Sequence, residues 1–393
     1  MTVALYGGSF NPPHLGHIDA ARASIKALRA DKLIFVPAAV PPHKAMAEHS
    51  PSPAERLELT RLAAEEIPGA EVSDFEVSRG ASPSYTATTA EYFRGEYPDA
   101  RIVLLIGTDM FLSFEKWFDF ERLLKLVELA VFPRDKGDLE RIESFAGHMR
   151  RSYGAKVTVI DKYPLPMASS EVREKLPQRL GRDMVPEQVY ARIIQKRYYG
   201  AKPELEWLRG QAGKLLNPKR VPHVLGCESE AVKLAARWGE DAGDAAEAGI
   251  LHDITKRLDT AEQLILCEKY GIILDTLEKE SSKLLHAKTG AMLAEDLFGV
   301  SPRVRDAIFW HTTARAGMTL LEKIIYMADY IEPTRNFDGV DRLRELAYKD
   351  LDEAMILGLE MSIEDISSRG IEPHPRSKEA LDWFLRQEEK KNK

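Results

Sequence analysis

Two groups of residues in this chain combine types and spacing that can do chemistry. The first is the run Gly7-Gly8-Ser9-Phe10-Asn11-Pro12-Pro13-His14-Leu15-Gly16-His17. It follows a short apolar segment and opens a stretch with helical spacing. Glycines let backbone amides approach phosphate oxygens, a helix start presents a positive dipole end, and two histidines one turn apart face one bound group. A nucleoside triphosphate suits such a cradle. The run fits neither G-x-x-x-x-G-K-[ST] nor G-x-G-x-x-G, so generic ATPase and hydride-transfer chemistry lose their usual support. Taken singly, each feature is an ordinary turn or helix cap; the combination is specific.

The second group is His223, the pair His252-Asp253 followed by Ile254-Thr255-Lys256, then His286, His311 and Asp329, all read as lying in helical sequence. Any one of these is more simply a satisfied core side chain. Six potential ligands together point to metal. Adjacent His and Asp on a helix diverge by roughly 100°, so the imidazole can bind one ion terminally while the carboxylate bridges to a second. Mixed imidazole and carboxylate ligation suits iron, manganese, zinc or cobalt.

The elements that must position these residues differ between the two halves. From Val3 to about Tyr199, β-branched and apolar runs alternate with amphipathic stretches, which predicts a doubly wound α/β domain with a parallel sheet. Strands are expected at Val3–Tyr6, Lys32–Val36, Glu71–Phe75, Arg101–Ile106, Leu129–Phe132 and Lys156–Ile160, and helices at Leu15–Arg29, Pro53–Glu66 and Thr86–Tyr97. Beyond Gly200-Ala201-Lys202-Pro203 strand-like runs vanish and helix formers dominate, so residues 1–199 and 203–393 are expected to be separate domains, the second all-α.

Composition narrows the function classes. The chain has 393 residues, with 55 Lys and Arg against 62 Asp and Glu and a formal charge of −7. That balance argues against a dedicated nucleic-acid binder, while local Lys and Arg can still hold small anions. No run approaches the roughly 20 apolar residues of a membrane span. Two cysteines, Cys227 and Cys267, are too few for a disulfide framework, and a cytoplasmic location is expected. The sequence is compatible with a homo-oligomer and does not determine one.

The first run closely resembles the G-G-x-F-x-P-x-H-x-G-H signature of the nucleotidyltransferase superfamily. With Pro41-Pro42-His43-Lys44, Ser84-Tyr85-Thr86, Gly107-Thr108-Asp109 and Trp117, the resemblance from Val3 to about Tyr199 is to bacterial nicotinate mononucleotide adenylyltransferase. It implies that Gly7, Gly8, Ser9 and Phe10 form the phosphate turn, that His14, His17 and Lys44 serve the triphosphate, and that Gly107 and Asp109 hold adenosine. The Thr86 region and Trp117 would receive the nicotinate ring and its carboxylate. Met167-Ala168-Ser169-Ser170-Glu171-Val172-Arg173 resembles the Ile-Ser-Ser-Thr-x-Ile-Arg segment whose hydroxyls and Arg grip the β and γ phosphates. Here Ala168 and Ser170 stand where that pattern has Ser and Thr, and Thr88 stands where the family often has Asp. The implied reaction is attack by the mononucleotide's 5'-phosphate on the α-phosphorus of ATP, with Mg2+, yielding deamido-NAD and pyrophosphate through positioning and charge neutralisation by His14, His17, Lys44 and Arg173.

The second group follows the ligand order of the HD phosphohydrolase superfamily. Trp310-His311-Thr312-Thr313 and Ala328-Asp329-Tyr330-Ile331-Glu332-Pro333-Thr334-Arg335 resemble, more narrowly, the bacterial symmetrical diadenosine tetraphosphate hydrolases. That resemblance implies two divalent ions, iron or manganese, held by His223, His252, Asp253, His286, His311 and Asp329, with Asp253 catalytic and Lys256 and Arg335 on the polyphosphate. The products would be two ADP. Joined, the halves predict dinucleotide synthesis at one end and removal of diadenosine tetraphosphate, a conceivable by-product of transfer to ATP itself, at the other. Two alternatives stay open: a non-catalytic nucleotide-sensing HD module, or other substrates (nicotinamide mononucleotide or phosphopantetheine for the first half, guanosine tetraphosphate for the second).

Overall fold

The run Ile102-Val103-Leu104-Leu105-Ile106 is apolar at every position, the pattern of a strand covered on both faces. The computed structural model, which describes residues 1–41, 46–80, 83–135, 137–279 and 281–391, places it in the middle of a parallel sheet. The strands are β1 (Thr2–Gly8), β2 (Lys32–Pro37), β3 (Ala70–Val72), β4 (Arg101–Gly107), β5 (Glu128–Phe132) and β6 (Val157–Val159), in the order β3-β2-β1-β4-β5-β6. Val3, Leu5, Ile102, Leu104, Leu129 and Val131 share one face with Phe111, Phe114 and Ile142, and the intervening Ala4, Val103, Leu105 and Ala130 are equally buried. The order reverses between β1 and β4, so the connections leaving their carboxyl ends run to opposite sides, the switch point at which open α/β sheets form a ligand-binding crevice.

Both edge strands are shorter than expected, β6 being Val157–Val159 where Lys156–Ile160 was expected. Pairing of β3 with β2 stops at Val72, and Phe75 opens a short helix, Phe75–Ser78, instead of ending the strand. Edge position explains this: β3 is held by β2 alone, and the Ser73 hydroxyl accepts from the Phe75 amide at 3.2 Å, turning the chain off the ladder.

Two compact units divide the chain, Met1–Lys202 and Pro203–Lys393. The second is helical. Its helices Val221–Trp238, Ala242–Leu251, Ser282–Phe298, Pro302–Phe309 and Leu320–Ile331 start at local signals such as Asp241, Ser301-Pro302 and Thr319 with Glu322, whose side chains cap the first amides. Gly249 lets two helix backbones meet: a Cβ there would lie 2.7 Å from the Glu228 Cα, so a glycine is needed for Ala242–Leu251 to press onto Val221–Trp238. Among the described residues no helix is long and apolar enough to cross a membrane.

Candidate active sites

At the exit of β1 the chain turns through Gly7, Gly8, Ser9 and Phe10. Gly7 is exposed, and Gly8 packs so near the Phe10 ring that a Cβ would stand 3.0 Å from it. The Phe10 ring is itself core, 1% exposed and 5.6 Å from both Tyr6 and Phe35, which leaves only its main chain for a ligand. His14 caps the following helix, Leu15–Leu28, and its ring lies 3.7 Å from that of His17. The His14 amide donates to Nδ1 of His17 at 3.1 Å, so a neutral His17 carries its proton on Nε2, as a donor. Nδ1 of His14 is buried without a partner. Burial pushes the His14 imidazole down to about 4 against the opposing pull of Glu171, and burial with His14 beside it holds His17 well below the usual histidine range. Both rings are therefore neutral donors near pH 7. Gly16, between them, faces the Leu165 carbonyl and the His14 ring; a Cβ would meet them at 2.9 and 3.0 Å.

The helix Ser169–Lys175 reaches the same turn. Arg173 Nη1 donates to the Asn11 carbonyl at 2.6 Å and Ser169 Oγ to the Pro12 carbonyl at 2.9 Å, while Asn11 also accepts from the Tyr199 hydroxyl at 2.7 Å. The single hydroxyl proton of Ser169 thus goes to the main chain, and as it stands Ser169 offers a phosphate only lone pairs; Ser170 is exposed. Gly107 ends β4 on the other side of the crevice. Asp109, two residues on, is exposed and paired with Arg134 at 2.7 Å. Thr86 begins the helix Thr86–Glu96, whose approach is fixed by Ser84, its hydroxyl accepting from the Ala39 and Val40 amides at 3.0 and 3.3 Å. Tyr85 stacks on Phe118 at 4.4 Å, which brings the Thr86 and Trp117 segments together. Trp117 leans on Phe114 at 4.9 Å, and its Nε1 is buried with no partner. Lys44, with Pro42 and His43, lies outside the described residues.

In the helical unit the six expected ligands converge. His223 Nε2 lies 3.1 Å from Asp329 Oδ1, 3.2 Å from His252 Nε2 and 3.6 Å from Asp253 Oδ2. On the other side, His286 Nε2 lies 3.1 Å from Asp253 Oδ1 and 3.1 Å from His311 Nε2. Atoms that each bind one ion at ~2.1 Å stand roughly 3 to 3.4 Å apart. The two oxygens of Asp253 therefore face different donor sets. His252 and Asp253 do not lie within a helix: His252 is the C-cap of Ala242–Leu251 and the chain then turns, as it does at His311 after Pro302–Phe309. The turn keeps αR geometry at His252, so the divergence of the two side chains survives.

Around this set, outward nitrogens are tied down. Nδ1 of His252 donates to the Gly249 carbonyl at 2.8 Å, Nδ1 of His311 to that of Ile308 at 2.6 Å, and Nδ1 of His223 to Glu332 Oε1 at 3.0 Å. In the neutral ring each bond places the lone pair on Nε2, facing inward. Burial lowers His286, and His311 to about 3, whereas for His252 burial is outweighed by Cys227 and Asp253, which raise it well above the usual histidine range, so a metal there would displace its proton. For Asp253 and Asp329 burial acts upward, but neighbouring histidines and cations outweigh it and hold both well below the carboxylate range. Neutral imidazoles and ionised carboxylates are the forms that bind divalent metal. Lys256 Nζ approaches His286 Nε2 at 2.9 Å, Arg335 Nη2 bonds Asp329 Oδ1 at 2.5 Å, and Arg220 pairs with Asp253.

Sequence reasoning missed Arg220, Glu332 and Gly226. Glu332 is fully buried, and a Cβ on Gly226 would stand 2.4 Å from its Oε2. The available signal was the glycine three residues after His223, on the same helix face.

Comparison with known proteins adds the lineage. Residues 5–175 match the cytidylyltransferase-like family and residues 220–334 the HD domain family. The probable nicotinate-nucleotide adenylyltransferase/Ap4A hydrolase of Mycoplasma pneumoniae is 30% identical over 356 residues, spanning 88% of this chain and 95% of the relative. The chain belongs to that two-domain family. Each half also has single-domain relatives. The probable nicotinate-nucleotide adenylyltransferase of Caldicellulosiruptor bescii is 35% identical over 45% of this chain and 88% of its own length. The symmetrical bis(5'-nucleosyl)-tetraphosphatase of Bacillus subtilis is 38% identical over 43% of this chain and 91% of its own. Members of the family are enzymes, with a nucleotidyltransferase half and an HD hydrolase half.

Proposed function

We propose that the first unit transfers adenylyl from ATP to nicotinate mononucleotide and that the second hydrolyses diadenosine tetraphosphate to two ADP. In the first unit the mononucleotide phosphate attacks the α-phosphorus and pyrophosphate leaves. Both partners are anions, so the work of the chain is to bring them together and offset their repulsion. Gly7, Gly8, Ser9 and the Phe10 main chain would receive the triphosphate, with Mg2+ arriving as its counter-ion. His14 and His17, both neutral, would donate hydrogen bonds to the reacting and leaving phosphates, and Lys44, Arg173 and Ser170 would take the β and γ groups. Gly107 and Asp109 would hold adenosine. The Thr86 helix start and the Trp117 indole, whose Nε1 lacks a partner, would take the nicotinate carboxylate and ring.

In the second unit, His223, His252, Asp329 and Asp253 Oδ2 would hold one divalent ion, and His286, His311 and Asp253 Oδ1 a second, iron or manganese. Bound there, the ions would supply Lewis acidity toward a phosphoryl oxygen and a water of lowered pKa. Lys256 and Arg335 would orient the polyphosphate. One observation carries this reading: the opposite oxygens of Asp253 address His223 at 3.6 Å and His286 at 3.1 Å. Product analysis of the purified chain with ATP, nicotinate mononucleotide and diadenosine tetraphosphate tests both halves. Deamido-NAD and ADP are expected; a chain that binds diadenosine tetraphosphate without releasing ADP would be a sensor instead.

A further inference from the structure

The helix Pro53–Ala64 begins at a capping box in which the Glu55 carboxylate bonds the amide and hydroxyl of Ser52 at 2.8 and 2.7 Å. Glu55 is thereby turned back onto the cap, and the next residue, Arg56, enters the interior without its neighbour's charge. Arg56 is 1% exposed. Its Nη1 donates to the Ser9 carbonyl at 2.7 Å and its Nη2 to the Ala39 carbonyl at 2.9 Å, while its Nε is buried with no partner. Among the described residues no carboxylate pairs with it. A guanidinium taken out of water and met only by carbonyl dipoles is a costly arrangement.

The two carbonyls have a meaning in the fold. Ser9 belongs to the turn after β1 and Ala39 to the loop after β2, so one planar fork ties together two loops at the carboxyl edge of the sheet. In a trans peptide the C=O and N–H point in opposite directions. Holding the Ser9 carbonyl toward Arg56 therefore aims the Phe10 amide away from it, and Phe10 keeps the left-handed φ of 42° that this turn requires. Lysine, a point donor, cannot span both carbonyls.

We propose that Arg56 is a positioning residue of the triphosphate site: it clamps the Gly7–Phe10 turn to the β2 exit loop, and its uncompensated positive charge is balanced by ATP phosphates when they bind. The inference rests on the adenylyl-transfer reading of that turn. It differs from a purely structural role in one respect, because the charge acts on phosphate and not on the nucleoside.

Isothermal titration of the full chain with ATP, inorganic pyrophosphate and adenosine distinguishes these, in wild type, Arg56→Met and Arg56→Lys. Arg56→Met should weaken ATP and pyrophosphate by at least about tenfold and leave adenosine within about twofold. Arg56→Lys should recover most of the pyrophosphate affinity while kcat for adenylyl transfer stays on the order of tenfold down, since charge returns without the double clamp. Equal losses for adenosine and pyrophosphate, or unchanged pyrophosphate binding, overturn the proposal. If Arg56→Met does not fold, the Lys variant decides alone, because equal weakening of both ligands there overturns it too. A wild-type chain that binds no ATP fails the underlying reading instead, a result distinct from any difference between variants.

Discussion

Glu332 Oε1 lies 3.0 Å from Nδ1 of His223, and that hydrogen bond sets which nitrogen of His223 faces Asp253 and Asp329. The carboxylate is fully buried and further held by the Thr334 amide at 2.7 Å. It has room only because residue 226 has no side chain.

Glu332→Ala should weaken metal binding by roughly 10- to 100-fold, the usual effect of removing a partner behind a ligating histidine. Gly226→Ala should do much the same by displacing the carboxylate. Metal content after dialysis against graded chelator checks both. Variants that hold metal as tightly as wild type would remove Glu332 from the site.

Asp253→Ala should lose both ions, not one, since its oxygens serve the two donor sets separately. His311→Ala should lose mainly one. Counting bound metal per chain by mass spectrometry of the metal-loaded protein separates the cases, and equal stoichiometry in the two variants would contradict the bridging role.

The convergence of the candidate ligands of the second site was legible because histidine and aspartate are chemically conspicuous wherever they stand. Their supports were not. Glu332 and Arg220 look like surface charges until the helices Val221–Trp238 and Leu320–Ile331 are packed together, and Arg56 reads as a solvated helix residue until its fork meets Ser9 and Ala39. Apolar runs made the four inner strands clear, and β6 was overextended by one residue at each end. The other edge strand, β3, was overextended to Phe75 because a short edge strand carries too little apolar pattern to show where pairing stops. Phe10 was read as a contact residue from its place in the run, but ring burial is decided by Tyr6 and Phe35, one of them some 25 positions away.

The pH dependence of stability follows from His14. Its folded value of about 4 lies below the unfolded 6.5, so between these values the unfolded chain binds more protons. The stabilising contribution is complete above about pH 6.5 and is lost as pH falls toward 4. His17, lowered in the same direction, steepens the loss. Denaturant unfolding of the first unit from pH 4 to 8 should show stability rising with pH, with a shallower slope in His14→Asn; an unchanged slope would show that His14 does not titrate as its burial requires.

Gly16→Ala inserts a methyl group between the Leu165 carbonyl and the His14 ring. Overpacking of this kind costs about 1 to 3 kcal/mol, and here it also displaces the His14 imidazole proposed to act on the phosphates. Adenylyl transfer should collapse while hydrolysis continues at the wild-type rate. Full transfer activity in Gly16→Ala would mean that the close approach is not needed.

The most direct test of two separate sites on one chain is metal replacement. The chain is stripped with chelator, then resupplied with Mg2+ alone or with Mg2+ and Mn2+, and deamido-NAD and ADP are measured together. Magnesium alone should restore deamido-NAD synthesis, with ADP release returning only when manganese is added. Both products returning together with magnesium, or neither returning under any condition, would contradict it.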